Sequence, residues 1–435
     1  PYLTSLDFSN FDTSQVTDMS YMFDNCGHLE QVKIDKFNLS LVFDISYMFH
    51  YCIKLTSLDL KNFVTKELMD MTSAFANCEK LKSLDLSSFN TKYAQRMSGM
   101  FQNCFELETL IVSSFNTENV QDMSHMFNGC KKLKSLDISN FSAKTVYTIE
   151  RMFFECFSLE NLKFGNFITS EIQDMSYLFY QCNSLKSLDL TSFDTSSVYN
   201  MEFMFYNCGQ LTELKINKFN TERVVKMTQM FKGLRNLKSL EISNFDTSKI
   251  ENFQYFFSDC ESLESLDLSN FDTSKAYDMQ YMFQNCKSLK TLKLNFNVEN
   301  VYNMNNAFQD CSSLISLDLS SFNTENVRDM EQMFSNCSSL TSIDLSSFYT
   351  KNVENMKGMF SGCTSLKSLN LSYFNTSKVK DMSSMFSSCS SLESINLSTF
   401  NTENVQKMVR MFYGCENLLY LDISSVKSSR SEERR

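Results

Sequence analysis

One spacing recurs along almost the whole chain of 435 residues. Cysteine follows cysteine at steps of 26 residues from Cys26 to Cys208, and the same register continues after Leu234, which stands where the next cysteine would fall. One step is shorter, the 25 residues from Cys286 to Cys311. A fixed period of roughly 20 to 50 residues is typical of repeat architectures, in which each repeat stacks on its neighbours. The period therefore predicts an elongated solenoid rather than a compact globular fold.

Each repeat has two halves with different apolar patterns. In the first half, Leu84 and Leu86 alternate with Ser83 and Asp85, which is typical of a short strand with one buried face. In the second half, apolar side chains recur at steps of three and four, as in Val120, Met123, Met126, Phe127 and Cys130. This spacing predicts a short α- or 3₁₀-helix. Thr117, at a position that is Thr in most repeats, is predicted to cap that helix.

Neither element can bury its apolar face alone, whereas stacked copies can. We therefore predict an α/β solenoid with a parallel β-sheet on its concave face and short helices on its convex face. Residues 1–425 are predicted to form one such solenoid of sixteen repeats, and residues 426–435 a polar tail, disordered or a linker. The chain begins within a repeat and without Met, so we expect a fragment that lacks its targeting segment.

The repeat resembles a known family through two stretches, Ser265–Ser274 (SLDLSNFDTS) and Met282–Cys286 (MFQNC). Its L-x-x-L-x-L strand pattern is similar to that of leucine-rich repeats, which implies a leucine-rich-repeat-like right-handed superhelix. The full pattern resembles the BspA-like leucine-rich-repeat surface proteins, in the repeat type found in bacterial surface lipoproteins. The likeness covers residues 3 to about 424. It implies a secreted or cell-surface protein that binds other proteins or host surfaces, and it supplies no catalytic residues.

The outward positions in the middle of the strands are the candidate partner-binding site. Acidic side chains occupy most of them: Asp7, Asp59, Asp85, Asp137, Asp189, Glu241, Asp267, Asp318 and Asp344. Like charges on neighbouring strands repel each other, and Lys33, Lys163, Lys215 and Lys293 each fall between two acidic neighbours. The pattern predicts a hydrophilic concave sheet with an acidic stripe. Two interpretations stay open, a solvated face that keeps the sheet soluble and a surface that binds a partner.

The fifteen cysteines allow four hypotheses, a metal site, redox chemistry, disulfides or buried thiols. Structural zinc sites use close pairs such as C-x-x-C, and the sequence has none, so no metal is predicted. Because Leu234 replaces one member of the series, the position resembles a small dry pocket, and we predict buried free thiols. An extracellular location would instead favour disulfides, and that alternative stays open.

Composition and motifs exclude several functional classes. The net charge of −11 disfavours nucleic acid, and no apolar run approaches the roughly 20 residues of a membrane span. The three histidines fall at different repeat positions and outside catalytic motifs, so we predict neither an enzyme nor a cofactor. The resemblance to BspA-like proteins instead implies a surface adhesion module that binds a protein or glycan on a host or neighbouring cell. The alternatives are a structural spacer or a filament built by end-to-end self-association, and ice or mineral binding.

Overall fold

The structure, a computed structural model, describes residues 2–61 and 63–424. It consists of two units, Pro1–Arg223 and Val224–Arg435, here called the N-terminal and C-terminal units. Each is a β-solenoid, a stack of coils in which one coil corresponds to one sequence repeat. That the whole chain is a single solenoid stays a prediction. The predicted tail, residues 426–435, lies outside the described residues.

One short strand marks the first half of most coils. In the N-terminal unit these strands are β1 (Ser5–Asp7), β2 (Gln31–Lys33), β3 (Ser83–Asp85), β4 (Thr109–Ile111), β5 (Ser135–Ile138), β6 (Asn161–Phe164), β7 (Ser187–Asp189) and β8 (Glu213–Lys215). In the C-terminal unit they are β9 (Ser265–Leu268), β10 (Thr291–Leu294), β11 (Ser368–Leu369), β12 (Ser394–Asn396) and β13 (Tyr420–Asp422).

Every strand pair is parallel and joins equivalent residues of successive coils. Ser83 pairs with Thr109, for example, and Leu266 with Leu292. The predicted parallel pairing is therefore confirmed, as is the inward direction of Leu84 and Leu86, which are 2% and 0% exposed. A strand of three or four residues buries little by itself, so its stability comes from the coil on either side.

The predicted helices are wrong. The described residues contain no helix, and the second half of each coil is a chain of tight turns. In the coil around His125, alternate N–H groups donate to different partners. His125 N and Phe127 N donate to Glu150 O (2.9 Å) and Met152 O (3.0 Å) of the next coil, whereas Asn128 N donates back to His125 O (3.0 Å). Half of the bonds that a helix would make internally therefore join one coil to the next.

Left-handed backbone conformations explain why no helix forms. Each of the sixteen coils has two residues with positive φ, four positions apart, such as His125 (56°) and Gly129 (74°). A right-handed helix cannot pass through such residues. The apolar steps of three and four suit consecutive turns as well as a helix, because each turn also closes between residues i and i+3. The same apolar side chains are buried in either arrangement.

Thr117 has a different role from the one predicted. Its hydroxyl does not cap a helix. Thr117 Oγ1 donates to Ser142 O (2.8 Å) of the next coil and accepts from Ser142 N (2.7 Å). Thr117 is fully buried, so these two bonds satisfy a hydroxyl that would otherwise be costly to bury.

The core consists of continuous columns of like residues within each unit. Val120, Met123 and Met126 are 0% exposed, and the Phe127 ring stacks on Phe101 and Phe153 with centroids 5.7 and 5.6 Å apart. The apolar side chains that recur at steps of three and four in the sequence therefore form the core. Each fully buried Phe side chain stabilises the fold by about 2–3 kcal/mol relative to an exposed one. Stacking in register is therefore the main source of stability.

Candidate binding surface on the strand face

The nine predicted acidic residues lie on the strand face, the side of each coil that bears the outward strand side chains. We call Asp7, Asp59, Asp85, Asp137, Asp189, Glu241, Asp267, Asp318 and Asp344 the acidic strand face. All are exposed except Asp85, which is half-buried. The first five lie in the N-terminal unit and the last four in the C-terminal unit. Within each unit, equivalent positions are parallel neighbours, as Lys33 is to Asp7.

Eight of these residues have a structural role that the sequence analysis did not anticipate. Each Asp accepts, through Oδ1, the backbone N–H of the residue two positions later. Ser269 N donates to Asp267 Oδ1 (3.1 Å), Ser320 N to Asp318 Oδ1 (3.0 Å) and Ser346 N to Asp344 Oδ1 (2.9 Å). This bond closes the turn that ends the strand. Glu241 makes no such bond within the described residues, since its side chain is one methylene longer.

The same contacts lower the pKa of Asp267, Asp318 and Asp344. Hydrogen bonds from Ser269, together with the Lys293 ammonium, lower the pKa of Asp267 to about 2. The pKa of Asp318 and of Asp344 is lowered mainly by the backbone N–H of the following serine. A hydrogen bond to the charged form favours that form. Asp267, Asp318 and Asp344 therefore keep their charge well below neutral pH.

Four lysines form ion pairs with the acidic strand face at the positions predicted from the sequence. Lys33 Nζ lies 3.6 Å from Asp7 Oδ2, and Lys293 Nζ lies 2.9 Å from Asp267 Oδ2. Lys163 and Lys215 make the equivalent contacts with Asp137 and Asp189, both at 3.4 Å. All these pairs are exposed, so solvent screens them and they add little to stability.

Charge is least compensated in the C-terminal unit. Asp318 and Asp344 occupy adjacent coils with no lysine between them, and Asp318 acts to raise the pKa of Asp344. A shallow depression of about 200 Å³ lies nearby on the same face, lined by Ser239, Glu241, Ser265, Asp267, Thr291 and Lys293. The strand face offers a firmly positioned row of carboxylates and hydroxyls, which suits a partner with basic or hydrogen-bonding groups.

The cysteines lie inside the solenoid, away from this face. All fifteen are free thiols, and all except Cys26 and Cys415 are buried. Each buried thiol donates to a Phe carbonyl one coil earlier, as Cys104 Sγ does to Phe75 O (3.2 Å). Burial raises the pKa of Cys104 and of Cys156 to about 12. The predicted burial is confirmed.

Reactive side chains do not converge in the described residues. No group of three or more His, Cys, Asp or Glu side chains there has the geometry to hold a metal ion. His50 Nδ1 lies 2.8 Å from Asp24 Oδ1, and His125 Nδ1 lies 2.9 Å from Asn128 Nδ2. Burial, with a smaller effect of Arg151, lowers the pKa of His125. No helix in residues 2–61 or 63–424 is long and apolar enough to cross a membrane.

Two further surface features were not predicted from the sequence. On the side of the coils formed by the tight turns, Phe154, Tyr180 and Tyr206 form a stack with ring centroids 4.5 and 4.6 Å apart. A groove of Tyr, Asn and Gln side chains also runs across four coils of the N-terminal unit. In both cases the residues differ from those that most repeats have at the same positions. A search for what the repeats share overlooks such differences.

Comparison with known proteins places the repeat in a described family. The model described as "Mycoplasma protein of unknown function, DUF285" matches residues 3–108, 69–188, 173–295, 259–368 and 339–433. No curated protein matches the sequence.

Several solved structures are similar to the chain. A leucine-rich repeat protein from Bacteroides ovatus is 21% identical, with 87% of this chain and 79% of that chain covered and a TM-score of 0.42. A leucine rich cell surface protein from Faecalibacterium prausnitzii is 14% identical, with 99% and 89% covered and a TM-score of 0.29. A leucine-rich repeat protein from Leptospira interrogans is 15% identical, with 93% and 85% covered and a TM-score of 0.25.

Proposed function

The chain belongs to the family described as "Mycoplasma protein of unknown function, DUF285", and we propose, from the chemistry of its own surface, that it is a non-enzymatic binding module. The module acts outside the cell or on its surface and presents the acidic strand face to a protein or glycan of a host or neighbouring cell. The surface location rests on the resemblance of the repeat to BspA-like proteins. The binding role rests on the carboxylates themselves.

The observation that supports binding most directly is the fixed orientation of these carboxylates. Asp267, Asp318 and Asp344 are exposed, yet each is held by a hydrogen bond to its own turn. Ordering a flexible side chain on binding costs about 0.5–1.5 kcal/mol, and a side chain that is already held avoids much of this cost. A basic partner therefore meets a preorganised row of acceptors.

The structure also shows how to remove charge without removing the turn. Asn370 and Asn396 occupy the same position in other coils and accept the same bond, from Ser372 N (3.1 Å) and Ser398 N (2.7 Å). The triple variant Asp267→Asn, Asp318→Asn, Asp344→Asn should therefore keep its melting temperature. We expect it to lose adhesion of the labelled chain to cultured animal cells, measured by flow cytometry, by about tenfold or more.

A matched control removes three charges elsewhere in the same unit. Glu299, Glu325 and Glu403 are exposed and lie away from the strand face, so their replacement by Gln should leave adhesion unchanged. Adhesion should also weaken as ionic strength rises, because salt screens exposed charges. Unchanged adhesion of the triple Asn variant would contradict the proposal. Fibres that form with increasing concentration in sedimentation would favour the alternative of a structural rod.

A further inference from the structure

A groove on the N-terminal unit has a chemical character unlike the rest of the surface. It runs across four coils between two columns of side chains, and we call it the edge groove. Its walls are Glu67, Tyr93, Asn119 and Thr145 on one side and Met69, Gln95 and Gln121 on the other, and it encloses about 570 Å³. Between these columns in the chain lie Leu68, Ala94 and Val120, whose side chains are 0% exposed. The walls therefore project from backbone that is anchored in the core.

The backbone along one wall is already fully bonded. Gln95 N donates to Met69 O (2.8 Å), Gln121 N donates to Gln95 O (3.0 Å), and Gln121 O accepts from Tyr147 N (3.0 Å). A bound peptide strand would need free main-chain donors and acceptors at this wall. The side-chain amides of Gln95 and Gln121, by contrast, are exposed and have no protein partner within the described residues. They are available as donors and acceptors to a ligand.

The edge groove is nearly uncharged. Among its seven lining residues, Glu67 is the one with a side chain that is charged at neutral pH. The equivalent two columns of the C-terminal unit are charged in most coils, with Lys249, Glu251, Lys275, Arg328, Glu354, Lys378 and Lys380. The neutral lining is therefore a property of these particular coils and not of the repeat. It favours a ligand without charge.

An aromatic ring with an accessible face completes the groove. Tyr93 is 45% exposed and stacks on no other ring among the described residues, although the Lys92 ammonium lies 5.4 Å from its centroid. In the C-terminal unit, by contrast, the Tyr277 and Tyr302 rings cover each other, with centroids 5.8 Å apart and planes at 4°. An open ring face beside hydrogen-bonding amides suits a ligand with both an apolar face and hydroxyl groups.

We propose that the edge groove binds a neutral oligosaccharide. The C–H face of one sugar ring packs on Tyr93, and hydroxyl groups of the chain hydrogen-bond to the amides of Gln95 and Gln121. Asn119 Nδ2 already donates to Lys92 O (2.8 Å), so its Oδ1 is oriented as an acceptor. The groove is separate from the acidic strand face, and its use does not depend on the function proposed above.

The test uses the full chain and three neutral trisaccharides, maltotriose, cellotriose and N,N′,N″-triacetylchitotriose. We expect saturation-transfer NMR to detect binding of at least one of them. Tyr93→Ala and Gln121→Ala should each weaken that binding about tenfold, as measured by titration calorimetry. The matched control is Tyr302→Ala, because Tyr302 is also 45% exposed but lies in the C-terminal unit with its ring stacked. This control should bind as the unmodified chain does.

Three results would overturn the inference. The first is the absence of saturation transfer from all three sugars. The second is full binding by the Tyr93→Ala variant with an unchanged circular-dichroism spectrum. The third is displacement of the bound sugar by heparin, a polyanion, as effectively as by an excess of the sugar itself. That result would indicate a site that binds through charge. The triple Asn variant of the acidic strand face should bind the sugar normally, so failure of one proposal can be distinguished from failure of the other.

Discussion

At the scale of single residues, the buried cysteines behave as small apolar side chains with one hydrogen bond each. A thiolate in this interior would lose its hydration without gaining a cation, which is why burial raises the pKa of Cys208 and of Cys337 to about 12. Thiolate is the reactive form of cysteine, so these residues are chemically inert while the protein is folded. Leu234 fills the same pocket in one coil and is 0% exposed.

This inertness can be measured by alkylation. In the native protein at pH 8, iodoacetamide should label Cys26 and Cys415, which are partly exposed, and leave the other cysteines unmodified. All fifteen should react after unfolding in guanidinium chloride, as counted by intact-mass spectrometry. Rapid native labelling of Cys182, which is 0% exposed, would contradict the packing described above.

The sequence predicted the burial of these residues but not their hydrogen bonds. The substitution by Leu234 already indicated a dry pocket, because only an apolar site accepts both Cys and Leu. The carbonyl that each thiol meets belongs to a different coil, and sequence spacing alone does not reveal it. The turn-closing role of Asp267 could have been predicted, since Asp followed two residues later by Ser is a frequent turn signal.

At the scale of elements, the turn segment shows where apolar spacing is ambiguous. A helix and a chain of tight turns both bury residues three and four apart, so Val120, Met123 and Met126 could not distinguish them. The distinguishing signal lay at the second of the two left-handed positions, which holds Gly or Asn in most coils, as at Gly129, Asn285 and Gly362; both residue types tolerate positive φ. The strands, in contrast, were predictable because strict alternation has no competing interpretation.

The cost of the left-handed backbone can be tested at Ser388, where φ is 60°. Ser388→Val should lower the free energy of unfolding by about 1–2 kcal/mol, because a branched side chain clashes in this conformation. Ser388→Gly should leave it unchanged or raise it slightly, as Gly occupies the equivalent position at Gly414. Urea denaturation measures both values. The control is Ser365→Val, which lies outside the left-handed positions and should change stability less than Ser388→Val does.

At the scale of the whole molecule, stability is a sum over neighbouring coils, since each coil bonds to the one before and the one after. The period was visible in the sequence because every coil must present the same apolar columns. The surface was not predictable to the same degree. Exposed positions vary freely, so the acidic strand face could be inferred from the sequence whereas the edge groove became visible only when side chains from four coils were brought together.

Deletion of one complete coil tests this additivity. Removal of residues 316–341 joins Ile315 to Ser342 and keeps every column in register. We expect an unchanged circular-dichroism spectrum and a small fall in melting temperature, roughly 2–4 °C for each kcal/mol lost. Removal of residues 316–328 alone shifts the columns and should abolish cooperative unfolding. Equal stability of the two deletions would contradict a fold built on register.

The backbone bonds that alternate between coils also determine how either unit would respond to a mechanical load. These bonds run along the stack, so the junctions are loaded in series: each one carries the whole tension, and they break one after another instead of sharing the load. Each coil that detaches would release about 26 residues of slack, on the order of 85 Å of extended chain. A stack of this kind would lengthen in steps, because a sudden pull breaks many small junctions one after another.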